Sequence, residues 1–139
     1  MAFNYTYEQM LDKAYKELPA ISKEEVRFEM PQIRVTQAGN RVVVSNLPQI
    51  ASAFRRLIEH LLKFMLRELA TTGELKGSEY FFVGRFRPEF LQEKIVKYAK
   101  EFVLCHQCGK PDTHIAKEAN AAFLVCEACG AKDSIRILK

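Results

Sequence analysis

Apolar residues recur along this chain at a helical period in some stretches and at a period of two in others, and the changes of period divide it. Between Asn4 and Leu18, the positions Tyr7, Met10, Leu11, Ala14, Tyr15 and Leu18 follow the i, i+3, i+4, i+7 rule, which predicts one amphipathic helix. Thr6 and Gln9 stand at capping-box spacing, and Tyr5 and Met10 at that of a hydrophobic staple. Pro19 stops the helix. Ala20 to Glu29 is polar, and residues 20–32 read as a linker. The helical stripe either packs on the chain's own core or meets a partner. Its two tyrosines and the linker behind it favour a partner.

Ile33–Gln37 and Arg41–Ser45 are rich in β-formers, and Ala38-Gly39-Asn40 between them signals a hairpin. Asn46 is placed to cap the next helix. From Gln49 to Ala70 a single long helix is predicted. Ile50, Ala53, Phe54, Leu57, Ile58, Leu61, Leu62, Met65, Leu66 and Leu69 form its stripe, the core of a middle domain. Arg56, His60, Lys63 and Arg67 share the opposite face, as a solvated row or as nucleic-acid contacts. Gly73 falls near the C′ position of that helix. Glu79–Gly84 reads as a third strand, and Pro88 suits the first turn of another helix with Leu91, Ile95, Tyr98 and Phe102 on its buried side. Thr113–Lys117, Ala122–Val125 and Ser134–Leu138 read as three short strands.

All four cysteines lie among those last strands, as Cys105-x-x-Cys108-Gly109 and Cys126-x-x-Cys129-Gly130. Two thiolates three residues apart on a tight turn can share one ion, and a second such turn completes a tetrahedron. Cys105, Cys108, Cys126 and Cys129 are therefore the expected ligands of a structural Zn²⁺, although iron also fits four thiolates. Four cysteines fill the shell, which leaves His106 and His114 facing solvent and no position open for catalysis. A segment this small cannot fold on apolar burial alone, and a metal supplies the deficit. The expected fold class is α+β: an amphipathic docking helix over 1–19, a linker over 20–32, a mixed ββαβα domain over 33–102 and a four-cysteine zinc ribbon over 103–139.

Composition narrows the function. Net charge is +4 over 139 residues, and residues 46–100 hold all of the surplus, with ten basic against six acidic side chains. That permits nucleic-acid contact through Arg56, Lys63 and Arg67 without demonstrating it. No apolar run is long enough to span a bilayer, the first ten residues are no secretory signal, and metal-spaced cysteines suit the reducing cytoplasm. Motifs for phosphate cradles, nucleophile elbows and catalytic zinc are missing, so no enzyme is expected.

Longer blocks carry a resemblance. Phe102-Val103-Leu104-Cys105-x-x-Cys108, Lys110-Pro111-Asp112-Thr113, Ala116-Lys117-Glu118 and Cys126-x-x-Cys129-Gly130-Ala131 resemble the C-terminal ribbon of the beta subunit of translation initiation factor 2. Asn46, Ile50, Arg56, His60, Lys63-Phe64, Glu68-Leu69 and Thr71, then Gly84-Arg85-Phe86, follow that family's order, and Tyr7 to Pro19 is similar to its leader. The archaeal form is the nearer likeness, because the lysine-rich extension of the eukaryotic form is absent. Leu47 stands where the family has Phe, and Ala70 where it has Gly. Eukaryotic initiation factor 5 shares the two later modules but is longer and lacks this leader.

The resemblance implies a subunit of an alpha-beta-gamma heterotrimer that carries initiator methionyl-tRNA with GTP to the small ribosomal subunit. It implies that gamma holds the GTP, that Tyr7, Met10, Leu11, Tyr15 and Leu18 dock on gamma, and that alpha is reached only indirectly. It further implies that the middle domain and ribbon are mobile, near gamma's switch regions or the tRNA. The competing class is an autonomous zinc-ribbon nucleic-acid-binding protein, which would not need an exposed apolar leader. A redox enzyme fits less well, since redox C-x-x-C motifs come singly in a βαβ setting.

Overall fold

The computed structural model describes residues 4–18 and 28–138. Pro19 and most of the predicted linker, residues 20–27, lie outside them. The described residues form an α+β protein of four helices and two antiparallel sheets.

The first helix, α1 (Tyr7–Glu17), starts at the capping box its sequence predicts. Gln9 N–H donates to Thr6 Oγ1 at 3.4 Å, and Thr6 N–H donates to Gln9 Oε1 at 3.1 Å. None of its side chains is buried. Tyr5 lies under the Lys13 ammonium, 5.4 Å from its ring centroid.

The first sheet runs β1-β2-β4-β3, with β1 (Val35–Ala38), β2 (Arg41–Val44), β3 (Gly73–Lys76) and β4 (Glu79–Val83). Its inner face presents Val42, Val44, Tyr80 and Phe82 to a core shared with α2 (Leu47–Ala53), α3 (Ile58–Leu69) and α4 (Pro88–Phe102). Leu91, Ile95, Tyr98 and Phe102 are all buried, as their spacing predicts. Phe64 meets Tyr98 and Phe102 edge to face at 5.1 and 5.7 Å between centroids.

Several expectations for this region change. The long helix over Gln49–Ala70 is two helices, because the chain turns at Phe54–Leu57 with Arg55 at φ +53°. Ala53 and Leu57, assigned to the buried stripe, are exposed, Leu57 to 77%. A strand not foreseen, β3, begins at Gly73, and the helix instead ends on Ala70 in the left-handed region at φ +48°. The middle region is therefore ββααββα rather than ββαβα. Asn46 makes no cap; its side-chain amide donates to Gln32 O at 2.6 Å and accepts from Arg34 N–H at 2.8 Å. Gln92 grips the same segment through Ile33 N–H (2.9 Å) and Pro31 O (3.1 Å), while Phe28 and Met30 pack on the core. Residues 28–32 thus belong with the folded body and not with a linker.

The second sheet, β5-β6-β7, consists of β5 (Thr113–Glu118), β6 (Ala121–Cys126) and β7 (Lys132–Ile135). Alternation buries Ala122, Leu124 and Cys126. The last strand was expected over Ser134–Leu138, but it ends at Ile135 and the tail leaves the sheet, burying Leu138 in the first core. Ile115 and Ile135 pack against that core as well.

The left-handed Ala70 yields a test. An alanine there carries a Cβ penalty of roughly 1–2 kcal/mol that glycine avoids, partly offset by the looser unfolded chain. Ala70→Gly should stabilise the protein by about 1 kcal/mol in urea unfolding. A loss of stability would show that Ala70 has packing the strain argument omits.

Candidate functional site

The two cysteine pairs sit on matching turns. In each, the glycine N–H after the pair donates to the carbonyl of the first cysteine: Gly109 to Cys105 at 2.9 Å and Gly130 to Cys126 at 3.0 Å. The first cysteine's own N–H donates five residues ahead, Cys105 to Lys110 O at 3.0 Å and Cys126 to Ala131 O at 2.9 Å. This closed turn needs a left-handed residue just after the second cysteine, and Gly109 (φ +71°) and Gly130 (φ +74°) provide it. One turn follows α4 directly; the other joins β6 to β7. Glu127 N–H donating to Asp112 O at 2.9 Å ties the second turn to the start of β5.

The four Sγ atoms lie within 4.8 Å of one another, with Cys105–Cys129 and Cys108–Cys126 each at 3.6 Å. A tetrahedral ion with Zn–S bonds of about 2.3 Å sets sulfurs about 3.8 Å apart, so the cluster fits one metal ion. The first cysteine of each pair is buried and the second exposed. Backbone N–H groups aimed at sulfur prepare a thiolate: Cys108 N–H foremost, opposed by burial and joined by Gln107 N–H, draws the Cys105 thiol down to about 6. At Cys129 the hydrogen bond from Ala131 is outweighed by local desolvation and by the neighbouring sulfurs, which push that thiol up to about 12. A bound cation is what lets such a set ionise together. His106 and His114 are exposed, as expected, each beside a carboxylate: Asp133 at 3.5 Å and Glu127 at 3.3 Å.

The row Arg56, His60, Lys63 and Arg67 does not share one face. Arg56 lies in the loop between α2 and α3, outside any helix, and its guanidinium turns inward. It donates to Phe102 O (2.9 and 3.2 Å), Thr113 O (2.9 Å) and Thr113 Oγ1 (2.7 Å). His60 also points in, sharing a hydrogen bond with Tyr98 Oη at 2.9 Å and meeting Phe102 edge-on at 5.0 Å. Burial first, then the charges of Lys117, Arg56 and Lys63, hold its imidazole down to about 4. Lys63 and Arg67 remain exposed on α3.

Spacing arguments missed a second cluster. Glu68 takes Lys97 at 2.8 Å, Arg136 at 3.2 Å and Lys94 at 3.4 Å, and the Lys97 bond foremost holds its carboxyl down to about 2. Arg136 also pairs with Glu101 at 2.5 Å and lies over the Phe64 and Phe102 rings, 5.4 and 5.9 Å from their centroids. Nothing in the local sequence marks either arginine, because both act across more than 30 residues.

On α1, Tyr7 and Tyr15 are 74% and 70% exposed, and Met10, Leu11 and Leu18 also face solvent. Singly exposed apolar groups are ordinary, but five on one helical stripe form a patch.

A protein-family model, described as a domain found in initiation factors 2B and 5, matches residues 19–132. The chain is 42% identical over 135 residues to translation initiation factor 2 subunit beta of Methanopyrus kandleri, covering 97% of this chain and 98% of that one. The chain belongs to the translation initiation factor 2 beta subunit family. The subunit of the same name from Methanococcus vannielii is 38% identical over 134 residues, 96% of this chain and 97% of the relative. That from Methanosphaera stadtmanae is 36% identical, 95% and 93% covered. The leader helix and the cysteine turns of this beta-subunit chain both fall within the stretches aligned with these relatives. No described helix is long and apolar enough to cross a membrane.

The inward histidine sets a pH dependence. Folded His60 titrates near 4 against an ordinary 6.5, so the unfolded chain binds a proton first as pH falls. Stability should be full above pH 6.5 and decline toward pH 4. Glu68, lowered from 4.5 to about 2, should extend the decline from pH 4.5 to 2. Thermal melts of His60→Gln should lose the upper part of the slope and keep the lower. An unchanged upper slope would place His60 in water.

Proposed function

We propose that this chain is the non-enzymatic beta subunit of a three-subunit initiation factor, attached to its GTP-binding gamma partner by α1. Its role in translation initiation is the one its relatives' names carry. The name "subunit beta" implies companion subunits. The observation that carries the attachment is the exposed stripe of Tyr7, Met10, Leu11, Tyr15 and Leu18 on a helix that caps itself and buries none of its side chains. A lone helix of this length is marginal in water and gains stability from a surface to pack on. Burying each large side chain contributes roughly 1.5–3 kcal/mol, and five together exceed the ordering cost when the receiving groove is well formed.

The folded body supplies the other contacts. Cys105, Cys108, Cys126 and Cys129 hold a structural Zn²⁺, whose divalent charge crosslinks the two turns and offsets the thiolates. Lys63 and Arg67 are the proposed phosphate contacts toward initiator tRNA or the small ribosomal subunit. Arg56 leaves that set because its donors are spent inside the protein. Alpha is met only through gamma, and the assembly works in the cytoplasm where ribosomes are.

Removing residues 1–19 should abolish co-purification with gamma while the remaining body melts at an unchanged temperature. Tyr15→Ala alone should weaken the complex about 10- to 100-fold, from the burial it forfeits. Lys13→Ala should change it little, since Lys13 meets exposed Glu17 at 3.8 Å and the exposed Tyr5 ring and lies outside the apolar stripe. A truncated protein that binds gamma at full affinity would disprove the docking role.

A further inference from the structure

The break between α2 and α3 has a local cost and a distant return. The apolar pattern from Leu47 to Leu69 would suit one continuous helix, yet the chain adopts a left-handed Arg55 and leaves Leu57 77% exposed. Such conformations persist where the surroundings over-determine them. What surrounds this one is Arg56. Its backbone N–H donates to Ala51 O at 3.0 Å, and Nη1 donates to Arg55 O at 3.1 Å, so the turn is held in the shape that aims the guanidinium away from its own helices.

The guanidinium reaches the seam between the two sheets' territories. Phe102 O is the last carbonyl of α4, three residues before Cys105, and Thr113 opens β5 in register with Cys126. Both acceptors therefore flank the cysteine turns in the chain. Thr113 Oγ1 accepts from Arg56 and in turn donates to Val103 O, closing a relay from the α2–α3 loop through β5 to the end of α4. Among the described residues no buried side-chain polar atom there lacks a partner. Several parallel N–H donors are needed at once, which a planar fork provides and an ammonium does not. The sheet is held at its far end too, by Arg136 on Glu68 and Glu101 and by buried Leu138.

We propose that Arg56 is a positioning residue: it clasps the cysteine-bearing sheet to the middle domain so that the two move as one body. The family resemblance implies that the middle domain and the ribbon are mobile near gamma; with the clasp closed they would move there together. The clasp itself does not depend on the zinc reading, but its second consequence does: metal loss should be felt by the core around Phe102 and Val103.

The test uses the full chain with spin labels on unnatural amino acids at Ser78 and Asn120, the exposed turns of the two sheets, so that no cysteine is modified. Pulsed dipolar spectroscopy of the parent should give one narrow distance distribution. Arg56→Lys, which keeps the charge and loses the fork, should broaden it while the metal content per chain stays unchanged. Thr113→Val, which retains the Phe102 bonds, should broaden it less, and Lys63→Ala should leave it narrow. If Arg56→Lys does not fold, the Thr113→Val broadening decides. A broad distribution in the parent, or a narrow one in Arg56→Lys or in Thr113→Val, overturns the clasp. Metal-free parent protein with a narrow distribution would refute the zinc reading and leave the clasp standing.

Discussion

The C-terminal sheet, β5-β6-β7, is arranged around four sulfurs that lie within 4.8 Å of one another. That sheet buries little of its own, chiefly Ala122, Leu124 and two of the cysteines, and could not offset the entropy of ordering its loops. Two things compensate. The cysteine turns are closed by their own backbone hydrogen bonds, so the donors are arranged before an ion arrives. Ile115 and Ile135 of the sheet, with Leu138 of the tail, share the core of the middle domain. The cysteine cluster thus stands where a bound ion would crosslink a small sheet, beside a larger core.

The division of labour follows from where apolar surface is spent. In the body, α4 and α3 bury Phe64, Tyr98 and Phe102 in one aromatic cluster that Arg136 covers with its cationic face. In α1, five large side chains are left unspent on a helix that caps itself. A body that completes its own core and a helix that does not are what a tethered subunit requires. A self-contained binding protein would gain nothing from the second. The proposed docking of α1 draws on that asymmetry.

Much of this was legible in the sequence because the signals were local. The capping box at Thr6, the stripe of α4 and the spacing of the cysteines each rest on neighbours a few residues apart, and all appear as read. The misreadings share a cause of the opposite kind. Apolar periodicity continues unbroken through Phe54–Leu57, and the contacts made at that turn, Arg56 to Phe102 and to Thr113, lie 46 and 57 residues away. Asn46 looks like a cap until the segment at Gln32 and Arg34 is seen to need its amide. The Gly73–Lys76 strand lacks β-branched residues and forms because β4 offers it an edge. The tail leaves its strand after Ile135 because Glu68 and Glu101 lie on the other body.

Four cysteines, and no other side chain, are proposed to hold one metal ion that organises the C-terminal sheet. X-ray absorption at the metal edge of the purified protein addresses this directly. The expected spectrum has a zinc edge and a first shell of sulfur alone, about four scatterers near 2.3 Å. A nitrogen scatterer would bring His106 or His114 into the shell and contradict the arrangement, as would protein that carries no metal yet retains the folded sheet.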